Sequence, residues 1–410
     1  MVQCPRSKEK VCRQRAATVS CDAATASQVA AVPRPTTRRA RPLDWRAVVF
    51  GIATFDSAAE RALLQAAAET WLTMVRGADL LVTTDGDDPR PDAEVAPVAP
   101  PGVAVHVHRC AECRGVRCDR ASRADGVCEG GVREGWLARR KVLEMLREMF
   151  ERFVRRRRRR GATGDAVNGS SGAGAGAGGG GGGGGGASSA SAGGGGGAGG
   201  GGKRFFLKLD ADAVVVPHTL LPLARELHGL LGPTERWLLG MAACRVTSFA
   251  LCHAAGGAGY ALSRAALRTL HGYARRGFPP YGDVEKFLER VDRFTYGGED
   301  VTVAFALKKA AGVAVINCGS FYQHEPLKYA RLHAKGEEWV RWPLSATPLT
   351  FHKFKSADAL RAFFRCSLYD ASGQPRAYPR ALLARVYNES AAVGGCDDPW
   401  VAGAAPAVEP

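Results

Sequence analysis

The sequence has no run of about 18 apolar residues, so nothing in it reads as a transmembrane helix. Nor does its start read as a signal peptide. The chain as written is therefore expected either to be soluble or to lack an anchor that precedes it. It also lacks a nucleic-acid-binding motif, and no aromatic residues interleave with its longest basic run, Arg155–Arg160. The formal charge is +16, and runs of this kind can bind polyanions. This one closes an amphipathic helix, where cations suit the helix dipole. A solvated helix end is the preferred reading, and no nucleic-acid partner is expected.

Periodicity is absent from three further segments. Residues 1–43 are basic and rich in Ala, Thr and Ser, residues 161–202 are almost wholly Gly, Ala and Ser, and residues 376–410 form a weakly patterned tail. Glycine-rich chain buries nothing and loses the most backbone entropy on ordering, so 161–202 is expected to be a disordered loop. What remains, roughly 290 residues, is enough for one α/β domain. It divides into residues 44–160 and 203–375.

Cysteine, by contrast, is plentiful. Twelve residues lean towards an oxidising lumen. Cys110, Cys113, Cys118 and Cys128 crowd one segment beside His106 and His108. Their spacing opens like a zinc site but does not complete a standard finger. Disulfides are the preferred reading there, with zinc left open. Sequons at Asn168 and Asn388 are compatible with a lumen.

The pattern along the first half is strand, helix, strand. Ala47–Phe55 is an apolar strand, and Ser57 with Glu60 makes a capping box. The helix that follows carries Leu63, Leu64, Ala67, Trp71 and Val75, stops at Gly77, and gives way to a strand over Asp79–Asp88. That βαβ unit is the usual nucleotide-binding half of an α/β domain. Thr54 and Asp85 end its two strands, where a nucleotide would lie, and Arg61 is a candidate diphosphate contact. Trp136–Val154 then reads as a helix.

The stretch Lys203–Val216, KRFFLKLDADAVVV, is a buried strand interrupted by Asp210 and Asp212. A lone buried carboxylate is costly, so such groups are paired, protonated or hold a cation. If the strand stays extended the two share a face. Hard oxygen ligands of that kind suit Mg²⁺ or Mn²⁺ beside diphosphate oxygens. Further on, Trp237–Ala243 reads as a strand, and Gly256, Gly257 and Gly259 precede a helix that Ser263 caps. That glycine segment is either a tight turn or a place where backbone approaches a bound sugar, with Gly257 as the candidate contact. Asp300 opens a helix that runs to Ala311 and stops at Gly312, as a cap, a catalytic carboxylate or both.

Taken in order, the segments ETWL (Glu69–Leu72), TDGDD (Thr84–Asp88), FFLKLDADA, GGAGYALSRAAL, GGEDV, FYQHEP, TFHKF and FFRCSLYD (Phe363–Asp370) resemble the Fringe-like β1,3-glycosyltransferases. That group includes the Fringe enzymes, core 1 β1,3-galactosyltransferase and the O-fucose β1,3-glucosyltransferase. The resemblance spans about Val48–Asp370 without the Gly-rich loop. It implies a GT-A fold, a single Rossmann-like α/β/α domain whose first half binds nucleotide-sugar and whose second half binds metal and acceptor. It implies inverting transfer of a hexose or N-acetylhexosamine from a UDP-sugar to the 3-hydroxyl of a glycan or glycoprotein, with Mn²⁺. It also implies a Golgi or ER lumen and membrane association through an anchor this chain does not show. Matched to its motifs, Asp210, Asp212 and His352 are the metal ligands, with His324 as rival to His352. Asp300 is the base that takes the acceptor proton. Ala211 stands where the family often has a third aspartate, which puts a donor-sugar contact in doubt. The alternatives from other classes are a catalytically dead glycan-binding relative and a basic polyanion-binding protein.

Overall fold

The computed structural model describes residues 43–113, 134–155 and 202–375, apart from 55–56, 87, 89, 233, 246–250, 295–297, 338–343, 345–346 and 370–373. The N-terminal segment as far as residue 42, Arg156–Arg160, the Gly-rich stretch as far as residue 201, the tail from residue 376, Cys118, Cys128 and both sequons lie outside the described residues.

Three apolar runs, β1 (Val48–Ala53), β2 (Asp79–Asp85) and β4 (Phe205–Asp210), form the middle of a seven-stranded sheet. β3 (Ala104–Cys110) lies on one edge. On the other side follow β9 (Tyr260–Ser263), β6 (Leu238–Gly240) and β10 (Val315–Asn317), giving the order β10-β6-β9-β4-β1-β2-β3. β9 is antiparallel to both its neighbours, and every other pairing in the sheet is parallel. The central strands are apolar on both sides because both faces are covered, the usual condition of parallel sheets.

Alternation along each strand divides the core in two. Phe50, Ile52, Leu80, Val82, Phe205, Leu207 and Leu209 join one buried cluster. There they meet helix α1 (Ala58–Glu69) and a later helix, Pro217–Leu231. Val49, Leu81, Phe206, Leu238 and Leu262 join the other cluster. This face holds the helices Glu134–Met149, Arg264–Arg275, Val284–Phe294 and Glu299–Ala311. In chain order with the short helix Asp92–Val95 as α2, these are α3 (134–149), α4 (217–231), α5 (264–275), α6 (284–294) and α7 (299–311). The expected single α/β domain with helices on both sheet faces is what the chain adopts. Gly51 lets α3 sit close on the sheet: a Cβ there would lie 2.1 Å from Met149 Cε and 2.9 Å from Met145 Sδ, so these two methionine side chains would have to move aside.

Local chemistry sets most boundaries. The Ser57 hydroxyl caps α1 by accepting from the Glu60 N–H at 3.1 Å, and Ser263 caps α5 through the Ala266 N–H at 3.0 Å. Gly312, left-handed at φ 65°, stops α7. α1 is shorter than its apolar spacing suggests. The Thr70 hydroxyl donates to the Ala66 carbonyl at 2.6 Å, and the chain tightens into a 3₁₀ turn over Trp71–Met74. Such a back-bond competes with the helix ladder. α3 does extend through Val154, its last turn widening to a π-helix over Phe150–Arg155.

Candidate active site

Parallel pairing aligns the carboxyl ends of β1, β2 and β4. Ala53 is level with Asp210 of β4 and with Thr83 of β2, so Thr54, Asp85 and Asp210 all fall at one sheet edge. Ligands of open α/β sheets lie at this edge. After Asp210 the chain leaves the sheet in a turn rather than staying extended, and returns as β5 (Val214–Val215). The two aspartates therefore do not owe their proximity to one strand face, as the sequence pattern suggested.

A second, small sheet brings in the third partner. β12 (Thr350–Phe351) pairs antiparallel with β5, Phe351 opposite Val214, and parallel with β11 (Phe321–Tyr322). Phe354 N–H also donates to the Asp212 carbonyl at 3.3 Å. His352 is thereby delivered to the aspartate turn. Its Nε2 lies 2.9 Å from Asp212 Oδ1 and 3.3 Å from Asp210 Oδ2. One donor atom from each of the three residues lies within 4.8 Å of the others. Burial alone would lower the His352 pKa, but the hydrogen bonds and charges of Asp210 and Asp212 outweigh it and raise it to about 9. Two carboxylates and one imidazole suit a hard or borderline divalent cation. On donor type and spacing, these residues fit the ion that the sequence reading implies. His324 is buried but outside this cluster, and burial with the charges of Lys353 and Lys328 lowers its pKa to about 4.

Gly257 sits against the His352 ring. A Cβ at this position would be 2.4 Å from both Cε1 and Nδ1 of the imidazole. The segment is also the tight turn that its glycines suggested, closed by Gly259 N–H to Gly256 carbonyl at 2.9 Å. Gly257→Ala is expected to push the ring off its position and weaken Mn²⁺ binding roughly 10–100-fold, the usual cost of losing a ligand's orienting contacts. Isothermal titration with MnCl₂ checks this; unchanged affinity would show that the ring tolerates displacement.

Asp300 approaches the same turn from α7. Its Oδ2 accepts from Gly256 N–H at 2.7 Å and its Oδ1 from Val301 N–H at 2.8 Å. It is not the helix cap: Gly298 holds that position, and Asp300 is the second helical residue. His253 Nε2 lies 3.6 Å from Asp300 Oδ2; it comes from β8 (Leu251–Ala254), which pairs with β7 (Ala242–Arg245). Successive residues of one turn thus touch Asp300 and His352.

One charged residue here escaped the sequence reading. Lys208, in mid-strand on β4, is fully buried, with its Nζ 2.6 Å from Asp210 Oδ1 and 3.3 Å from the Gly256 carbonyl. It also donates to Glu299 Oε1. Burial would depress the Lys208 pKa, but Asp210 and Glu299 outweigh it and raise it. Asp210 answers in the opposite sense: Lys208 and His352 overcome burial and hold its carboxyl well below the ordinary range. Burial, with Asp300 and Asp210 nearby, raises Glu299. The available signal was the spacing, since Lys208 and Asp210 are two apart on a strand and so face the same way.

The nucleotide-side candidates are held from below. Lys141 of α3, buried, donates to the Thr54 carbonyl at 2.9 Å and pairs with Asp85 Oδ1 at 2.6 Å. The Thr54 hydroxyl donates to Glu60 Oε2 at 3.0 Å. Arg61, half-buried, sits in the first turn of α1. At the far end of this edge Cys110 and Cys113 form a disulfide, which removes that pair from the zinc alternative.

No family model matches this chain, and no curated protein matches it. Among solved structures it is similar to the galactosyltransferase LgtC in complex with donor and acceptor sugar analogs, at 12% identity over 85% of this chain and 97% of that one, with a TM-score of 0.35. Mouse xyloside xylosyltransferase 1, in its apo form, matches at 10% identity over 76% and 98%, with a TM-score of 0.35. The apo glycosyltransferase GlyE of Streptococcus pneumoniae matches at 12% identity over 83% and 59%, with a TM-score of 0.30. Likeness at such scores carries no weight for function, which rests on the site itself.

Proposed function

We propose that this chain is a metal-dependent, inverting glycosyltransferase of the GT-A kind, moving a hexose or N-acetylhexosamine from a UDP-sugar to a 3-hydroxyl of an acceptor glycan. One observation supports this above the others. Two successive residues of one turn, Gly256 and Gly257, hold the Asp300 carboxylate and the His352 ring, while Asp210 and Asp212 close on that ring. Such transfer needs a cation site and a separate carboxylate side by side.

In this reading Asp210, Asp212 and His352 hold the divalent ion, which when bound supplies Lewis-acid stabilisation of the departing diphosphate. Thr54 and Asp85, fixed by Lys141, form the floor for the nucleotide. The Asp300 carboxylate accepts the proton of the acceptor hydroxyl as its oxygen bonds to the anomeric carbon. The anomeric carbon–phosphate oxygen bond breaks at the same time, and UDP takes the electron pair. Attack from the face opposite UDP inverts the anomeric centre, giving a β linkage from an α-linked donor. The Fringe-like motifs support the β1,3 linkage. Disulfide bonding of Cys110, Cys113, Cys252 and Cys318 suits the oxidising lumen of that family. A panel of UDP-sugars with MnCl₂ is the test, read as UDP release and as the linkage of any product by NMR. Turnover with at least one donor, abolished by EDTA, is expected. Absence of Mn²⁺-dependent turnover or hydrolysis across the panel would overturn the proposal.

A further inference from the structure

The buried ammonium of Lys208 stands where the two halves of the site meet. Its four neighbours are Asp210 Oδ1 at 2.6 Å, the Gly256 carbonyl at 3.3 Å, Glu299 Oε1 and the face of Tyr260, whose centroid is 5.7 Å away. The side chain is 1% exposed, so it meets neither solvent nor substrate. What it does to Asp210 is specific. One carboxylate oxygen, Oδ1, is taken by Lys208, and the other, Oδ2, is left facing His352 at 3.3 Å. On the opposite side Lys208 grips Glu299, the first residue of α7, and the carbonyl of the residue whose N–H holds Asp300.

We infer that Lys208 is a positioning residue: it presents Asp210 to the cation through Oδ2 alone and ties that presentation to the Gly256 turn and the start of α7. This rests on the proposed cation site. A group that orients a ligand carboxylate from outside typically carries 10–100-fold of metal affinity. The competing account, that Lys208 merely neutralises nearby acids, predicts the opposite sign. Removing a positive charge beside a cation site strengthens cation binding if charge is all that matters.

The experiment uses MnCl₂ titration of the full chain by calorimetry, with melting followed in the absence of metal. Lys208→Met leaves Glu299 buried and unpaired, and one-sided removal from a buried pair is strongly destabilising. The informative variant is therefore Lys208→Met combined with Glu299→Gln, compared with Glu299→Gln alone. Glu299→Gln should bind Mn²⁺ close to wild type. The double variant should melt close to Glu299→Gln and bind Mn²⁺ about 10–100-fold more weakly. Unchanged or tighter binding in the double variant would overturn the inference, as would its failure to fold, which would make Lys208 a scaffold group. Wild-type protein that binds no Mn²⁺ would overturn both this and the transferase reading. Wild-type protein that binds Mn²⁺ and transfers no sugar would overturn only the latter.

Discussion

Asp300→Asn is expected to lower transfer to acceptor by about 10²–10⁴-fold, the usual worth of a positioned general base, while leaving the fold and UDP–Mn²⁺ binding in place. Asn keeps the shape of the side chain. Its single carbonyl oxygen can retain either the Gly256 or the Val301 N–H, and its amide then faces the other donor. Losing one such bond to a carboxylate costs about 1.5–3 kcal/mol. The loss is offset in part, because Asp300 is one of the charges that raise the neighbouring Glu299. No helix cap is lost, since Gly298 occupies that position. A structural carboxylate and a reacting one therefore differ in what the substitution moves. If Asp300 only braces the Gly256 turn, melting temperature falls and kcat barely changes. If it also takes the acceptor proton, melting falls by the same modest amount but kcat collapses. Initial rates with saturating donor and acceptor, set beside thermal denaturation, separate the two; wild-type turnover in the variant would remove Asp300 from the chemistry and make Glu299 the next carboxylate to test.

The parts of this molecule written in short-range pattern were legible in the sequence. Apolar runs at Val48–Ala53, Asp79–Asp85 and Phe205–Asp210, the Ser57 and Ser263 caps and the Gly312 stop each follow from local chemistry. Asp210 and Asp212 announced themselves as charges in a core strand. What could not be read was how they are neutralised. Lys208 looks like one more polar residue in the sequence, and its partner Glu299 lies 91 positions away. Only the antiparallel insertion of β9 beside β4 brings the Gly256 turn over both. Lys141 escaped for a similar reason. It sits in a basic stretch, Arg139–Lys141, whose local sequence names no acidic partner, yet all three residues are buried. Arg139 reaches Asp292 at 2.7 Å on α6, and Lys141 reaches the ends of β1 and β2. Long-range pairing between elements supplied both answers, and no window of local sequence contains it.

Asp212→Asn should all but abolish Mn²⁺ binding, by more than the 10–100-fold that loss of an outer partner costs, because it removes one of the site's two negative charges and leaves a neutral amide oxygen, a far weaker donor, in its place. Asp212 is partly exposed, and Asp210 remains to pair with His352, so the metal-free protein should stay folded. The proton on His352 makes the effect readable in pH. With its pKa raised to about 9 from 6.5, His352 in the metal-free protein is protonated at neutral pH. Its contribution to folding is complete below about 6.5 and is lost as pH rises through about 9. A cation must displace that proton, so wild-type Mn²⁺ affinity should rise by up to about tenfold per unit from pH 7 towards 9. Asp212→Asn removes one of the two charges that raise His352, so whatever weak binding survives should level off at lower pH. His352→Ala should cost far more affinity than His324→Ala, since His324 lies outside the three-residue cluster. The reverse order would move the imidazole ligand to His324, and a His352→Ala variant that bound Mn²⁺ normally would leave Asp210 and Asp212 to hold the ion without it.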